Sequence, residues 1–166
     1  MIKKYDEPIK KAAAQFLPGI DWRFLKAQLQ AESNLNPDAK SPVGAMGIAQ
    51  FMPKTWEEVS HELNFHHDTT PYQARPAILA SAYYMAKMLG QWTAGREEID
   101  RYFLALASYN AGFGNILKAQ QHAGGANDYF TIMQHLHLVT GKHAKETLDY
   151  IPRIHKTFGE YVTEGR

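Results

Sequence analysis

Glu32 stands where a carboxyl group can be put to work moving a proton. Trp22, Leu25, Leu29 and Glu32 recur at steps of three, four and three, a spacing that places all four on one face of a helix. A carboxylate on a core-facing stripe is costly to keep charged, so burial is expected to raise its pKa. A glutamic acid that keeps its proton near neutral pH can give it to a leaving group. A lone Glu at a helix end ordinarily turns back to water, because buried Glu is rare. The residues that follow weigh against that ordinary reading here.

Ser33 comes directly after Glu32, and Asn34, Asn36 and Pro37 then end the helix. Next is a loop rich in small residues, Ser41-Pro42-Val43-Gly44-Ala45-Met46-Gly47-Ile48-Ala49-Gln50-Phe51-Met52-Pro53. A third segment reads Ala105-Leu106-Ala107-Ser108-Tyr109-Asn110-Ala111-Gly112. Each of the three sets polar groups at a helix end beside small residues, which let a polymer approach the backbone closely. Gln50, Tyr109 and Asn110 supply donors and acceptors of the kind sugar hydroxyls and acetamido groups need. Phe51 and the tyrosines offer flat apolar faces for sugar rings. By itself, the second segment reads equally well as a Gly-rich loop with no ligand.

With a fourth segment, Glu146-Thr147-Leu148-Asp149-Tyr150, these stretches resemble the catalytic domain of lytic transglycosylases of the soluble-lytic-transglycosylase type, related to goose-type lysozyme. The resemblance runs over about residues 20–158. The family pattern is a Glu-Ser pair, a Gly-Ala-x-Gly-Leu-Met-Gln-like segment, Ala-Tyr-Asn-Ala-Gly, and a Tyr after a Glu-Thr pair. This chain departs from it at Ile48-Ala49, where the family has Leu-Met, and at Arg75-Pro76, where an Asn before the Ile is common.

The resemblance implies an all-α, lysozyme-like helical domain with a substrate cleft and little or no β structure. It makes Glu32 the catalytic acid and base. Ser33 and Gln50 would orient the substrate's acetamido group or Glu32 itself. Tyr109 and Asn110 would contact sugar beside the scissile bond, Met46 would line the cleft, and the Tyr150 hydroxyl would touch the catalytic carboxyl. The implied reaction cleaves the β-1,4 bond between N-acetylmuramic acid and N-acetylglucosamine in peptidoglycan, leaving a 1,6-anhydro sugar. Hydrolysis on the same fold, as in a muramidase, is the nearest alternative. It usually needs a second carboxylate, ~6.5–9.5 Å away for inversion or ~5–5.5 Å for retention, and Asp38, Asp68 and Asp100 lie in no recognisable motif. A silent wall-binding or virion module is a second alternative.

The elements that must position these residues read as helical nearly throughout. Tyr5, Ile9, Ala12 and Phe16 mark a first helix stopped by Pro18-Gly19. Asp21 is the expected N-cap of the helix carrying Glu32. Pro53 suits a first turn, Thr55 and Glu58 have capping-box spacing, and Trp56, Val59 and Leu63 form the stripe behind them. Residues 66–76 read as a loop. Ile78, Ala82, Met85 and Leu89 line another helix with Gly90 as its C′ residue. Residues 99–108 read as a central buried helix, stopped at Gly112 and Gly114. A short helix over 116–121 precedes the turn Gly124-Gly125. Tyr129, Ile132, Met133 and Leu136 mark a further run. Leu148, Ile151, Ile154 and Phe158 mark the last helix, with Pro152 as a kink.

The bulk composition is consistent with one domain spanning all 166 residues, with an N-terminal helix in 1–19 and the core in 20–158. A net charge of +1 gives no field that implies nucleic acid, and the cluster Lys3, Lys4, Lys10 and Lys11 reads as a solvated face. With no cysteine, disulfides and thiol nucleophiles are excluded. No run approaches the ~18 apolar residues of a spanning helix, and the start has no apolar stretch of a secretory signal. The chain is therefore expected either to be made in the cytoplasm, act on wall glycan strands as a monomer and resemble a phage endolysin that reaches the periplasm through a holin-like protein's lesion, or to be a domain excised from a longer bacterial protein. No metal or cofactor is expected. His61-Glu62 suggests a zincin start, but His66 and His67 fall five and six residues after His61, which does not put two ligands on one helical face. His135 and His137 diverge on a helix and read as solvated. Gly112-Phe113-Gly114 reads as a helix stop, not a phosphate loop, and no Ser-His-Asp pairing is evident for Ser33 or Ser108.

Overall fold

A computed structural model describes residues 3–165. Met1 and Ile2, on which the reading of the start partly rests, lie outside them, as does Arg166. The described residues contain helices and loops and no strand. The helices are α1 (Asp6–Phe16), α2 (Trp22–Ser33), α3 (Pro53–Glu62), α4 (Ala74–Gln91), α5 (Glu98–Ala111), α6 (Phe113–His122), α7 (Tyr129–Met133), α8 (His137–Thr140) and α9 (Ala144–Thr163), with a 3₁₀ turn at Gly141–His143 before α9. Residues 3–84 with 154–165 form one compact unit and Met85–Arg153 a second, so α4 and α9 each contribute to both.

In the first unit α2 is the buried element. Asp21 caps it as expected, accepting from the Arg23 N–H at 2.9 Å. Leu25 and Leu29 are fully buried, and Lys26, Ala27 and Gln28 are buried with them. Lys26 is the unexpected one. Its ammonium meets Asp6 of α1 at 2.7 Å and lies 4.5 Å from the centre of the Tyr161 ring and 5.5 Å from that of Trp22. A buried cation needs a partner of this kind. The end of α9 packs on α2 through a parallel stack of Phe24 and Phe158, centroids 3.6 Å apart, and the Tyr161 hydroxyl donates to Gln30.

In the second unit α5 is central. Tyr102 and residues 104–108 are buried, although Ile99 at its start is half exposed. The Trp92 indole N–H donates to Ser108 at 3.1 Å, and Ser108 donates to Leu104 O at 2.7 Å. α7 is capped by Asp128, which accepts from Thr131 N–H at 2.8 Å. That bond, joined by one from the Thr131 hydroxyl, holds the Asp128 carboxyl below its ordinary range. The Tyr129 N–H donates to Asp100 of α5 at 2.9 Å. Burial pushes the Tyr129 hydroxyl up to about 12.

Several local expectations are corrected. α3 has no capping box, since its N-cap is Met52 and Thr55 is already inside the helix. Pro53 at the first position and a Phe51–Trp56 packing, centroids 5.5 Å apart, start it instead, the arrangement of a hydrophobic staple. Gly90 and Gly114 lie inside helices, because each keeps a negative φ and the backbone bonds continue through it. The stop between α5 and α6 is Gly112 alone, at φ +88°. Leu148 is exposed. The buried side of α9 keeps Ile151 and Ile154, as expected, and adds Thr147, Tyr150 and Tyr161. His135 is half-buried, with Nδ1 2.9 Å from Thr131 O.

Candidate active site

Glu32 and Ser33 are the last two residues of α2, both half-buried. The helix ends abruptly because Asn34 and Leu35 both take left-handed backbone angles, φ 56° and 59°. Asn tolerates this region, but Leu does not do so without cost. Leu35 is nevertheless buried, so packing of its side chain holds the strained turn. Ser33 then closes the structure. Its hydroxyl donates to Ile48 O at 2.8 Å and accepts from Asn36 N–H at 3.1 Å. The first two sequence motifs are thereby fastened to each other, with Glu32 beside the fastening.

The loop so fastened is a tight reversal. Met46 and Phe51 exchange two backbone bonds, at 2.9 and 3.1 Å, around a turn of residues 47–50. Gly47 at φ +76° and Gln50 at φ +52° shape that turn. Gly47 has a second constraint, since a Cβ there would lie 1.9 Å from the carbonyl oxygen of Pro71. Gln50 gives its amide N–H groups to Gly47 O at 2.9 Å and Ala39 O at 3.4 Å. Ser33 and Gln50 thus hold the loop in shape through these donors. Ile48 and Ala49, the departure from the family pattern, are fully buried. Met46 is half-buried and Val43 exposed.

In the second unit the third and fourth motifs meet at Asn110. Its Oδ1 accepts from the buried Thr147 hydroxyl at 2.7 Å, and its Nδ2 donates to Glu146 at 3.3 Å. The amide keeps a second N–H and a second lone pair for other partners. Asn110, Asn115, Thr140, His143, Glu146 and Thr147 border a cavity of about 470 Å³, lined with groups able to bond a hydroxyl or amide. Tyr109 is half-buried beside Asn110.

Two of the sequence-derived site residues are not surface groups. Phe51 is 2% exposed and lies between Trp56 and Tyr84, so its ring has no face to offer a sugar. The reason is the staple at the start of α3, which turns the ring inward. Tyr150 is 1% exposed, which leaves it no role as a sugar platform. Sequence reasoning missed the strained Leu35, the Pro71 wall behind Gly47 and the buried Lys26. It also missed Gln28, one turn before Glu32, whose amide is buried with neither polar atom bonded. Lys26 and Gln28 left a signal, as polar residues among the apolar positions of α2.

The Transglycosylase SLT domain model matches residues 7–132, and the chain belongs to that family. Among curated relatives, the chain is 30% identical over 159 residues to membrane-bound lytic murein transglycosylase F of Haemophilus influenzae, which covers 89% of this chain and 32% of that protein. It is 37% identical over 139 residues to the protein of that name from Thiobacillus denitrificans, covering 80% and 28%. The chain therefore spans about a third of the length of these relatives. Among solved structures, the 70 kDa soluble lytic transglycosylase of Escherichia coli superposes with a TM-score of 0.74 at 20% identity, over 95% of this chain and 24% of that one. The fold is accordingly the all-α fold of those enzymes.

Proposed function

We propose that this chain is the catalytic part of a peptidoglycan lytic transglycosylase and that Glu32 is its acid and base. The observation that carries the reading is the family match over residues 7–132, which spans the Glu32-Ser33 pair, the 44–50 loop and the Tyr109-Asn110 segment. The names of the relatives, lytic murein transglycosylases, support the substrate. In the proposed step the Glu32 carboxyl gives its proton to the oxygen of the β-1,4 bond between N-acetylmuramic acid and N-acetylglucosamine. The C1–O bond breaks, its electron pair leaves with that oxygen, and an oxocarbenium-like state forms. The muramic acid C6 hydroxyl then adds to C1, and its proton returns to the Glu32 carboxylate. No water is consumed, and the nucleophile is intramolecular, so one carboxylate suffices. Met46, Tyr109 and Asn110 are proposed sugar contacts, Ser33 and Gln50 hold the loop beside Glu32, and the role proposed for Tyr150 rests on its hydroxyl.

Mass spectrometry of muropeptides released from purified sacculi tests the reaction. Anhydromuramic ends are expected, and reducing-end muramic acid as the main product would replace this reading with hydrolysis. Glu32→Gln keeps the shape and removes the proton, and it is expected to slow release by about 10²–10⁴-fold. Equal clearing of wall suspensions by both proteins would overturn the acid role and favour a silent wall-binding module. The same proposal takes the acting species as a monomer, checked by sedimentation. It also takes access to the wall as dependent on a holin-like protein, checked by whether co-expression with one is required for lysis.

A further inference from the structure

We propose that His66, His67 and Asp68 form a surface site for a divalent transition-metal ion of the zinc class. The three residues are consecutive and offer one ligand atom each, all within 4.8 Å of one another. The two rings pack on each other, centroids 4.1 Å apart, and the Asp68 carboxylate reaches both, with one oxygen 3.2 Å from His67 Nε2 and the other 3.5 Å from His66 Nδ1. Tetrahedral zinc with bonds of about 2.0–2.1 Å sets its ligand atoms about 3.3 Å apart. The Asp68–His67 edge of such a site therefore already has the right length, and a side-chain rotation has to bring His66 Nδ1, within 4.8 Å of the other ligand atoms, to the same carboxylate oxygen and to the other ring. Imidazole with carboxylate is a donor set for zinc, copper or nickel, and not for magnesium or calcium, which prefer oxygen alone.

The spacing objection raised from the sequence concerns ligands on a helix. These residues are in a turn, where the 3.6-residue period does not apply and Asp68 supplies the third donor. The turn has a defined backbone. Thr69 N–H donates to His66 O at 2.9 Å, and Phe65 N–H to Ser60 O at 2.9 Å. The Phe65 ring packs on Trp56, 5.9 Å away. The one bond a metal at His66 Nδ1 would displace is long, 3.3 Å from Asp68 N–H. Exposed His–Asp pairs contribute little by themselves in water. Two neutral rings and one carboxylate carry a single negative charge, which a dication more than neutralises, and water completes the coordination. Three residues further along, Pro71 supplies the carbonyl that walls Gly47. A metal at the turn would thus brace the segment that backs the 44–50 loop. This inference is independent of the proposed catalytic step.

Isothermal titration of the tag-free chain with zinc chloride tests it. One-to-one saturable binding, reversed by chelator and accompanied by a rise in the thermal midpoint, is expected. His66→Gln with His67→Gln is expected to weaken binding by at least about tenfold, Asp68→Asn to weaken it less, and His135→Gln to leave it unchanged. All three site residues are exposed, so the variants are expected to keep the parent circular dichroism spectrum. No saturable heat below about 1 mM zinc, or equal binding by the double variant, would overturn the proposal.

Discussion

The two motif pairs are fastened by different kinds of bond. In the first unit a hydroxyl, Ser33, holds a backbone carbonyl at Ile48. In the second an amide, Asn110, holds two side chains, Thr147 and Glu146. A side chain bonded to a backbone carbonyl depends on the path of the chain and not on the residue type at the acceptor. A side chain bonded to a side chain depends on both identities. The first fastening therefore relies on a loop whose backbone is tightly constrained, by Gly47 against Pro71 and by left-handed angles at Leu35 and Gln50. The second relies on two regular helices, α5 and α9, whose backbones need no such angles.

The sharpest way to break this contrast is Gly47→Ala. The added carbon meets the Pro71 carbonyl at 1.9 Å on a backbone at φ +76°, so a loss of about 3 kcal/mol in urea unfolding is expected. Wild-type stability would mean that the loop backbone yields and the contrast is false. A smaller effect separates the two fastenings directly. Ser33→Ala leaves the Ile48 carbonyl without this donor and is expected to cost about 1–2 kcal/mol. Pairing it with Ile48→Val in a double-mutant cycle is expected to give coupling near zero, since the partner is backbone. The cycle of Asn110→Ala with Thr147→Val is expected to give about 1 kcal/mol of coupling. The reverse pattern would refute the distinction.

The smallest effect concerns acid. The bonds from Ser33 and Gln50 join groups that do not titrate in the ordinary range. The second unit carries the cap of α7, where Asp128 is held below its usual pKa by Thr131. A depressed carboxyl contributes stability above its unfolded pKa of about 3.9, and that contribution is lost as pH falls through the folded value. Asp128→Ala is thus expected to be less stable than the parent at pH 7, with the gap in urea midpoint closing at acid pH. A gap that does not change with pH would show that the carboxylate's charge has no part in the cap.

Much of this was legible in the chain before folding. Asp21 as N-cap, the Leu25 and Leu29 stripe, the end of α2 at Asn34 and the stop at Gly112 are local matters of side-chain spacing and backbone preference, and the structure shows each of them. Periodicity misled where neighbours changed the meaning of a residue. Phe51 reads as a free aromatic platform, yet it faces Trp56 and Tyr84. Leu148 reads as core, yet Thr147 takes the buried position because Asn110 gives its hydroxyl a partner. Lys26 interrupts an apolar stripe, and only Asp6 with the Tyr161 ring explains how it is tolerated.

The order of residues alone determined the helical class and the helix ends near the motifs, because these depend on interactions within a few positions of the chain, and it singled out Glu32 as the residue proposed to carry the proton. Tertiary structure decided which polar groups are used internally. Ser33 reaches Ile48, Asn110 reaches Thr147, and Gly47 is walled by Pro71. Those partners are fifteen to thirty-seven residues apart. No local preference encodes such a pairing, which arises only when burial forces each donor to find the nearest acceptor.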